Sequence, residues 1–322
     1  MSPETALALS LLIPFVGALW VVASGRVPNL RDGGTVAVTF ATFAAVTQLV
    51  PAVLAGQRPR LDVLTVFAGL ELAFEVEPLG MIFGLVASSL WIVTSIYAFG
   101  YMRAHRERHQ TRFFTCFAIA IGAALGIAFS ANLFTLFLFY ELLTFSTYPL
   151  VTHHGTPEAM RAGRTYLGIL VSTSIAFLLL AIGWTWKLAG TLEFANDGIL
   201  AERAGVGTLT LLLALYAFGI GKAALMPVHR WLPAAMVAPT PVSALLHAVA
   251  VVKAGVFSVL KIVVYVFGID NLRSISESWL GANWLVVASC FTILAASLVA
   301  LQQDNLKRRL AYSTVSQLSY IV

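Results

Sequence analysis

Charge is scarce in this chain. Asp, Glu, Lys and Arg make up 11% of its 322 residues, against about 25% in a typical soluble domain, which excludes a water-exposed surface wrapped around one core. Cysteine is nearly absent. Cys116 and Cys290 are the only two and both fall in apolar stretches, which excludes a CxxC or iron–sulfur pattern and gives a disulfide no support. There is no glycine-rich dinucleotide loop after a strand, no Walker-type lysine loop and no axial histidine pair for haem. Gly219 and Gly221 lie inside an apolar run and read as packing residues. The chain therefore offers no cofactor site of its own for NADH, ATP or an electron carrier. His105, His109, His153 and His154 read as solvated loop residues, because no cysteine or carboxylate spacing around them makes a metal site. The N-terminus lacks a basic leader and a small-residue cleavage site, so Leu7–Ala23 reads as a retained span rather than a signal peptide.

What is abundant is apolar surface. Hydrophobic residues reach 59% and the mean hydropathy is +0.87. A membrane span needs roughly 20 apolar residues. The expected fold class is all-α, a polytopic membrane protein of about ten transmembrane helices. Ten segments can be drawn, at 5–24, 34–55, 78–100, 113–130, 132–151, 163–187, 206–227, 240–267, 283–301 and 308–322. The last is still apolar at Val322, so the chain is expected to stop within a helix. From Leu61 the stretch 56–77 alternates enough to suggest a short external hairpin. The loops after spans one, three, five, seven and nine hold Arg26, Arg31, Arg103, Arg106, Arg108, Arg112, Arg161, Arg164, Arg230, Lys307, Arg308 and Arg309. That is 12 of the 20 Lys and Arg residues; the alternate loops hold five. The bias places the odd loops in the cytoplasm and the N-terminus outside, in a multi-pass protein of the inner or plasma membrane. Net charge is +5, but the basic residues sit between spans, which argues against nucleic acid as a partner.

Against this background the stretch 219–261 stands apart. It carries Lys222, His229, Arg230, His247, Lys253 and Lys261 together with Pro227, Pro233, Pro239 and Pro241. A charge near the bilayer centre costs roughly 2.5–3.5 kcal/mol or more, and a proline in a helix interior removes a backbone hydrogen bond. Ionisable groups on proline-broken membrane helices point to transport. A broken helix is expected near 239–250. Glu141 sits mid-helix in LFTLFLFYELLTFSTYPL and needs a partner; Lys222, flanked by Gly219 and Gly221, is the candidate on another span. Burial disfavours the lysine charge while a nearby carboxylate favours it, so the pair could load and release a proton as it opens and closes. His247 titrates near neutral pH and can relay, with Lys253 beside it. Lys261 reads as snorkelling to the outer surface. Lys307 could extend the polar line, whereas Arg308 and Arg309 read as topology-setting charges.

The stretch PVHRWLPAAMVAPTPVSALLHAVAVVKAG (227–255) resembles the hallmark segment of proton-translocating antiporter-like membrane subunits, found in Mrp-type Na⁺/H⁺ antiporters, in complex I (NADH:quinone oxidoreductase) and in membrane-bound hydrogenases. FYELLTFSTYPL (139–150), EPLGMIFGLV (77–86) with GYM (100–102), and DNLKRRLAYSTVSQLSY (304–320) match further family segments in order. VVKAGVF (251–257) is similar to the Mrp branch, in its D-type subunits. The resemblance implies the first half of an inverted-repeat antiporter fold. Residues 1–110 would hold spans one to three, 111–268 the first five-helix half-channel, and 269–322 an incomplete start of the second. It implies Glu141 as modulating glutamate, Lys222 as proton-carrying lysine, and His247 and Lys253 as relays. It also implies other membrane subunits as partners, with Na⁺ or K⁺ as a further transported ion. Ala234 and Val237 depart from the family pattern, which often has acidic residues there. The alternatives are membership of a redox-linked complex, or a non-conducting structural role.

Overall fold

The computed structural model is a helical bundle with one β-hairpin and describes residues 1–67, 69–201, 203–246, 250–270, 272 and 284–322. The elements are α1 (Pro3–Ala23), α2 (Pro28–Thr47), α3 (Val50–Leu54), β1 (Arg60–Phe67), β2 (Leu70–Glu75), α4 (Pro78–Ala104), α5 (Gln110–Ala128) and α6 (Leu133–Val151). They continue with α7 (Pro157–Thr173), α8 (Leu180–Ala189), α9 (Val206–Gly219), α10 (Trp231–Ala234), α11 (Thr240–Ala244), α12 (Val251–Ile262), α13 (Trp284–Leu301) and α14 (Leu306–Ser319). Seven helical stretches among the described residues are long and apolar enough to cross a membrane. Three of the ten expected spans, at 206–227, 240–267 and 308–322, are helices shorter than that or interrupted.

Helix starts follow from local chemistry. Proline opens α1, α2, α4 and α7, where its missing N–H would have had no partner anyway. Ser2, Asn132, Thr156 and Asn305 accept first-turn amides with their side chains, as N-caps do. The α2 helix begins six residues earlier than hydropathy suggests, because Arg31 and Asp32 neutralise one another near its start. Arg31 Nε lies 2.8 Å from Asp32 Oδ1, Arg103 Nε 2.8 Å from Asp32 Oδ2, and Arg31 Nη2 2.9 Å from Gln110 Oε1. This clamp, buried at Arg31 and Asp32, ties α2, α4 and α5 together at one end of the bundle.

The core is centred on α5, where 13 of 19 residues are buried. Its small-residue run lets neighbours approach closely, as intramembrane packing requires: Gly122 meets the Phe15 ring and Gly126 the Phe139 ring. The opposite end of the bundle is covered by the β1–β2 hairpin, antiparallel from Arg60↔Glu75 to Phe67↔Leu70, as the alternation from Leu61 suggested. Glu75 N donates to Phe129 O at 2.7 Å and Ala131 N to Ala73 O at 3.0 Å. Arg60 Nη1 reaches Glu193 Oε2 at 3.0 Å.

The expected seventh span differs most from its hydropathy. Its helix ends at Gly219. Residues 221–223 and 228–230 follow as single tight 3₁₀ turns, then the four-residue α10. Lys222 therefore sits in a break, not on a helix face. The expected discontinuity at 239–250 is present at both of its ends. Ala238 and Pro239 are extended, and Ala250 leaves the helical region at φ −121°, ψ −66° before α12 starts.

Candidate functional site

The site forms where the break after α9 meets the middle of α6. Lys222 is fully buried. Its Nζ donates to Tyr140 O at 2.8 Å and to Thr144 Oγ1 at 2.5 Å, and lies 3.1 Å from the centroid of the Tyr140 ring. The Lys222 amide donates to Tyr140 OH at 3.1 Å. A carbonyl, a hydroxyl and a π-face thus hold the ammonium, and all three are neutral. Tyr140, Thr144 and Thr147 share one face of α6 at helical spacing. Thr147 Oγ1 lies 2.6 Å from Tyr166 OH, the Tyr166 ring meets Trp231 edge-on, and Trp231 Nε1 donates to Gly221 O at 2.8 Å. These contacts pin the broken segment from two sides.

Three glycines permit the approach. Gly219 packs on the backbone at Leu178 and Gly221 on Thr173 Oγ1, in and beside the six-residue π-helical stretch (174–179) that joins α7 to α8. Gly255, on α12, faces the backbone carbonyl of Lys222, where a Cβ would overlap it.

Glu141 follows Tyr140 on α6. It is half-buried, and its Oε1 is shut from solvent without a hydrogen-bond partner among the described residues. No ion pair joins it to Lys222; the lysine takes up neutral oxygens instead. Lys253, on α12, is half-buried, with no hydrogen bond or ion pair from its ammonium among the described residues. His247 lies outside the described residues. Lys307 Nζ donates to Ala238 O at 3.0 Å, capping a carbonyl that the Pro239 break leaves without a helical partner. It bonds the end of one broken segment and is not in contact with Lys222.

Two expectations need correction. Lys261 does not snorkel: it is completely buried, its Nζ 2.6 Å from Glu77 Oε1 and 2.6 Å from Ser130 O. The hairpin and the loop carrying Phe194 cover this end, so no outer surface lies within reach of the side chain. Glu77 is accordingly buried beneath the hairpin. Likewise His153 is not a solvated loop residue. It is buried, with Nε2 3.7 Å from Glu107 Oε2, and burial with nearby Arg112 pushes its pKa down to about 4. His105, His109 and His154 are exposed, as expected. Sequence reasoning missed Tyr140, Thr144 and Trp231. The 140/144/147 hydroxyl stripe was available as a signal; the role of Trp231 was not.

Comparison with known proteins places these residues among relatives. The family described as "NADH:quinone oxidoreductase/Mrp antiporter, TM" matches residues 130–322. The chain is 31% identical to the A/B subunit of a probable K⁺/H⁺ antiporter of Rhizobium meliloti (strain 1021), over 99% of its length and 31% of that protein. It is 32% identical to the chloroplastic NAD(P)H-quinone oxidoreductase subunit 5 of Ipomoea purpurea, over 79% of its length and 35% of that protein. It therefore spans about a third of these relatives. Among solved structures it resembles a chain of an archaeal membrane-bound sulfane sulfur reductase, at TM-score 0.82 and 24% identity, covering 98% of this chain and 63% of that one. A chain of the Mrp complex from Dietzia sp. DQ12-45-1b gives TM-score 0.78 at 24% identity, covering 99% of this chain and 33% of that one.

Proposed function

This chain belongs to the NADH:quinone oxidoreductase/Mrp antiporter transmembrane family, and we propose that it moves protons as a membrane subunit of a larger Mrp-type assembly, with Lys222 as the proton-carrying group. The observation that carries the reading is the setting of Lys222: fully buried, in a helix break, its ammonium held among the described residues by neutral ligands. A lysine with a fixed carboxylate partner is locked in its charged form. One solvated by a hydroxyl and a carbonyl can give its proton up when the surroundings change. Glu141, adjacent to Tyr140 and without a partner for Oε1, is the group whose approach or withdrawal shifts that balance. Lys253 and His247 lie further along the same sequence stretch and serve as the onward relay. Residues 111–268 form the half-channel unit in this reading. Lys307 holds the broken segment at Ala238 in place rather than carrying the proton.

The orientation that goes with this places the loops rich in arginine in the cytoplasm, the hairpin outside and the N-terminus outside, in the inner or plasma membrane. Na⁺ or K⁺ would be moved by the complete assembly; among the described residues no group of three or more His, Cys, Asp or Glu is placed to hold a metal ion. The same site would serve a redox-linked complex, whose partner subunits would do the electron chemistry.

The test is flux driven by a pH gradient in inverted vesicles carrying the complete assembly, with assembly checked on native gels. Lys222→Ala is expected to abolish flux in an intact complex. Lys222→Arg is expected to fail as well, because a guanidinium keeps its proton at any accessible pH. Normal flux through Lys222→Ala in an intact complex would reduce this chain to a scaffold.

A further inference from the structure

At the end of the bundle away from the hairpin, a cavity of about 650 Å³ opens between the α4–α5 turn and the α6–α7 turn. Its lining contains Arg106, Arg108 and Arg112, and one carboxylate, Glu107. The carboxylate faces two histidines of the same lining: Glu107 Oε2 lies 3.7 Å from His153 Nε2 and 3.7 Å from His154 Nδ1. Arg112 spends one donor on His153 O at 3.2 Å. The guanidiniums of Arg106 and Arg108 make no hydrogen bond or ion pair among the described residues. Three positive charges against one negative leave a net +2 around a concave space, with most of the guanidinium N–H donors unused.

Two features of the backbone add to this. Arg106 and His109 both take left-handed conformations, at φ +51° and +56°, which non-glycine residues adopt at a cost of order 1–3 kcal/mol. This strained turn carries Arg106 and Arg108 on the cavity wall. At the start of α5, His109 supplies no side-chain cap, so the unpaired first-turn amides contribute positive potential beside Arg112. The same end of the bundle holds the arginine-rich loops, the pattern that attracts an anionic leaflet.

We propose that this cavity binds a phosphate group, carried by an anionic phospholipid at the membrane surface or by a soluble phosphate. Guanidinium forks match phosphate oxygens two at a time, and His153, Thr152 and Tyr148 also line the space. The site is independent of the Lys222 reading.

The test uses the full chain purified in detergent, with bound adducts read by native mass spectrometry. Phosphatidylglycerol and inorganic phosphate are the two probes. Arg106→Gln with Arg108→Gln removes two cavity charges without breaking any side-chain bond of the fold; adding Arg112→Gln removes the third. A control with Arg26→Gln, Arg230→Gln and Arg309→Gln lowers the charge of the same end by the same amount outside the cavity. A single phosphatidylglycerol adduct should survive at a lipid concentration at least tenfold lower in the wild type and the control than in the cavity variants. Retention unaffected by millimolar phosphate assigns the site to lipid. Displacement of the lipid by phosphate, or a phosphate adduct that the cavity variants lose, assigns it to the soluble ligand. Equal binding by wild type and cavity variants, or equal loss in the control, overturns the proposal.

Discussion

Lys222 and Lys261 are both shut away from solvent, and their surroundings divide them by role. Lys261 has a carboxylate, Glu77 Oε1, at 2.6 Å, and the carbonyl of Ser130 at the same distance. Lys222 has no acidic partner in contact among the described residues. Removing one member of a buried ion pair leaves an uncompensated charge and costs about 3–5 kcal/mol, whereas replacing both is often nearly neutral. Lys261→Met or Glu77→Gln alone is therefore expected to lower thermal stability strongly in detergent, and the double variant to recover most of the loss. A mild effect of Lys261→Met alone would contradict the buried pair. His153 gives a residue-scale prediction in pH. Its pKa stands near 4 in the fold against about 6.5 in an unfolded chain. The unfolded state binds the extra proton between those values, so stability is full above pH 6.5 and falls as pH drops toward 4. From pH 7.5 to 5 the loss through this residue is about 1–2 kcal/mol. His153→Gln should flatten that part of the unfolding profile, measured by fluorescence melts at the two pH values.

At the scale of elements, the break after α9 is held by contacts from several helices. α6 binds the Lys222 ammonium and its amide, Trp231 bonds Gly221 O, and α12 presses Gly255 against the Lys222 carbonyl. A methyl group at 255 has no space, and forcing extra volume into a packed contact costs about 1–3 kcal/mol. Gly255→Ala is expected to reduce flux and stability together by displacing Lys222 from Thr144. Gly168→Ala, at a position with open space around it, should do neither, and paired flux and melting measurements check both. Thr144→Val is a gentler probe. It removes one ligand of the ammonium and keeps the helix, so slowed flux with an unchanged melting point is the expected result.

Across the whole molecule the two ends differ. One gathers the arginine-rich turns and the Arg31–Asp32–Arg103 clamp; the other is covered by the hairpin and its Arg60–Glu193 tie. Cysteines introduced at positions 106 and 60 should therefore react with a membrane-impermeant reagent from opposite sides. In intact cells, labelling at 60 and protection at 106 is expected. The reverse pattern would invert the proposed orientation while leaving the fold untouched.

The sequence by itself determined that this is a multi-pass membrane protein, where most spans lie, and that a hairpin interrupts them. Those follow from composition and periodicity, which act over a few neighbouring residues. It also singled out Lys222 and Glu141, because an ionisable group in an apolar run is conspicuous without any partner in view. Only the tertiary structure decided what those charges meet. Hydropathy cannot tell a helix from a break: apart from Lys222 the run from Val206 to Pro227 stays apolar, yet its helix stops at Gly219, where neighbouring segments supply the lost backbone partners. Nor can it tell a lysine that reaches the surface from one roofed over. Lys261 is buried because residues 67 to 184 positions earlier in the chain, at Glu77, Ser130 and Phe194, close around its end of the bundle. Burial is set by elements far apart in sequence, and that is the information a local pattern lacks.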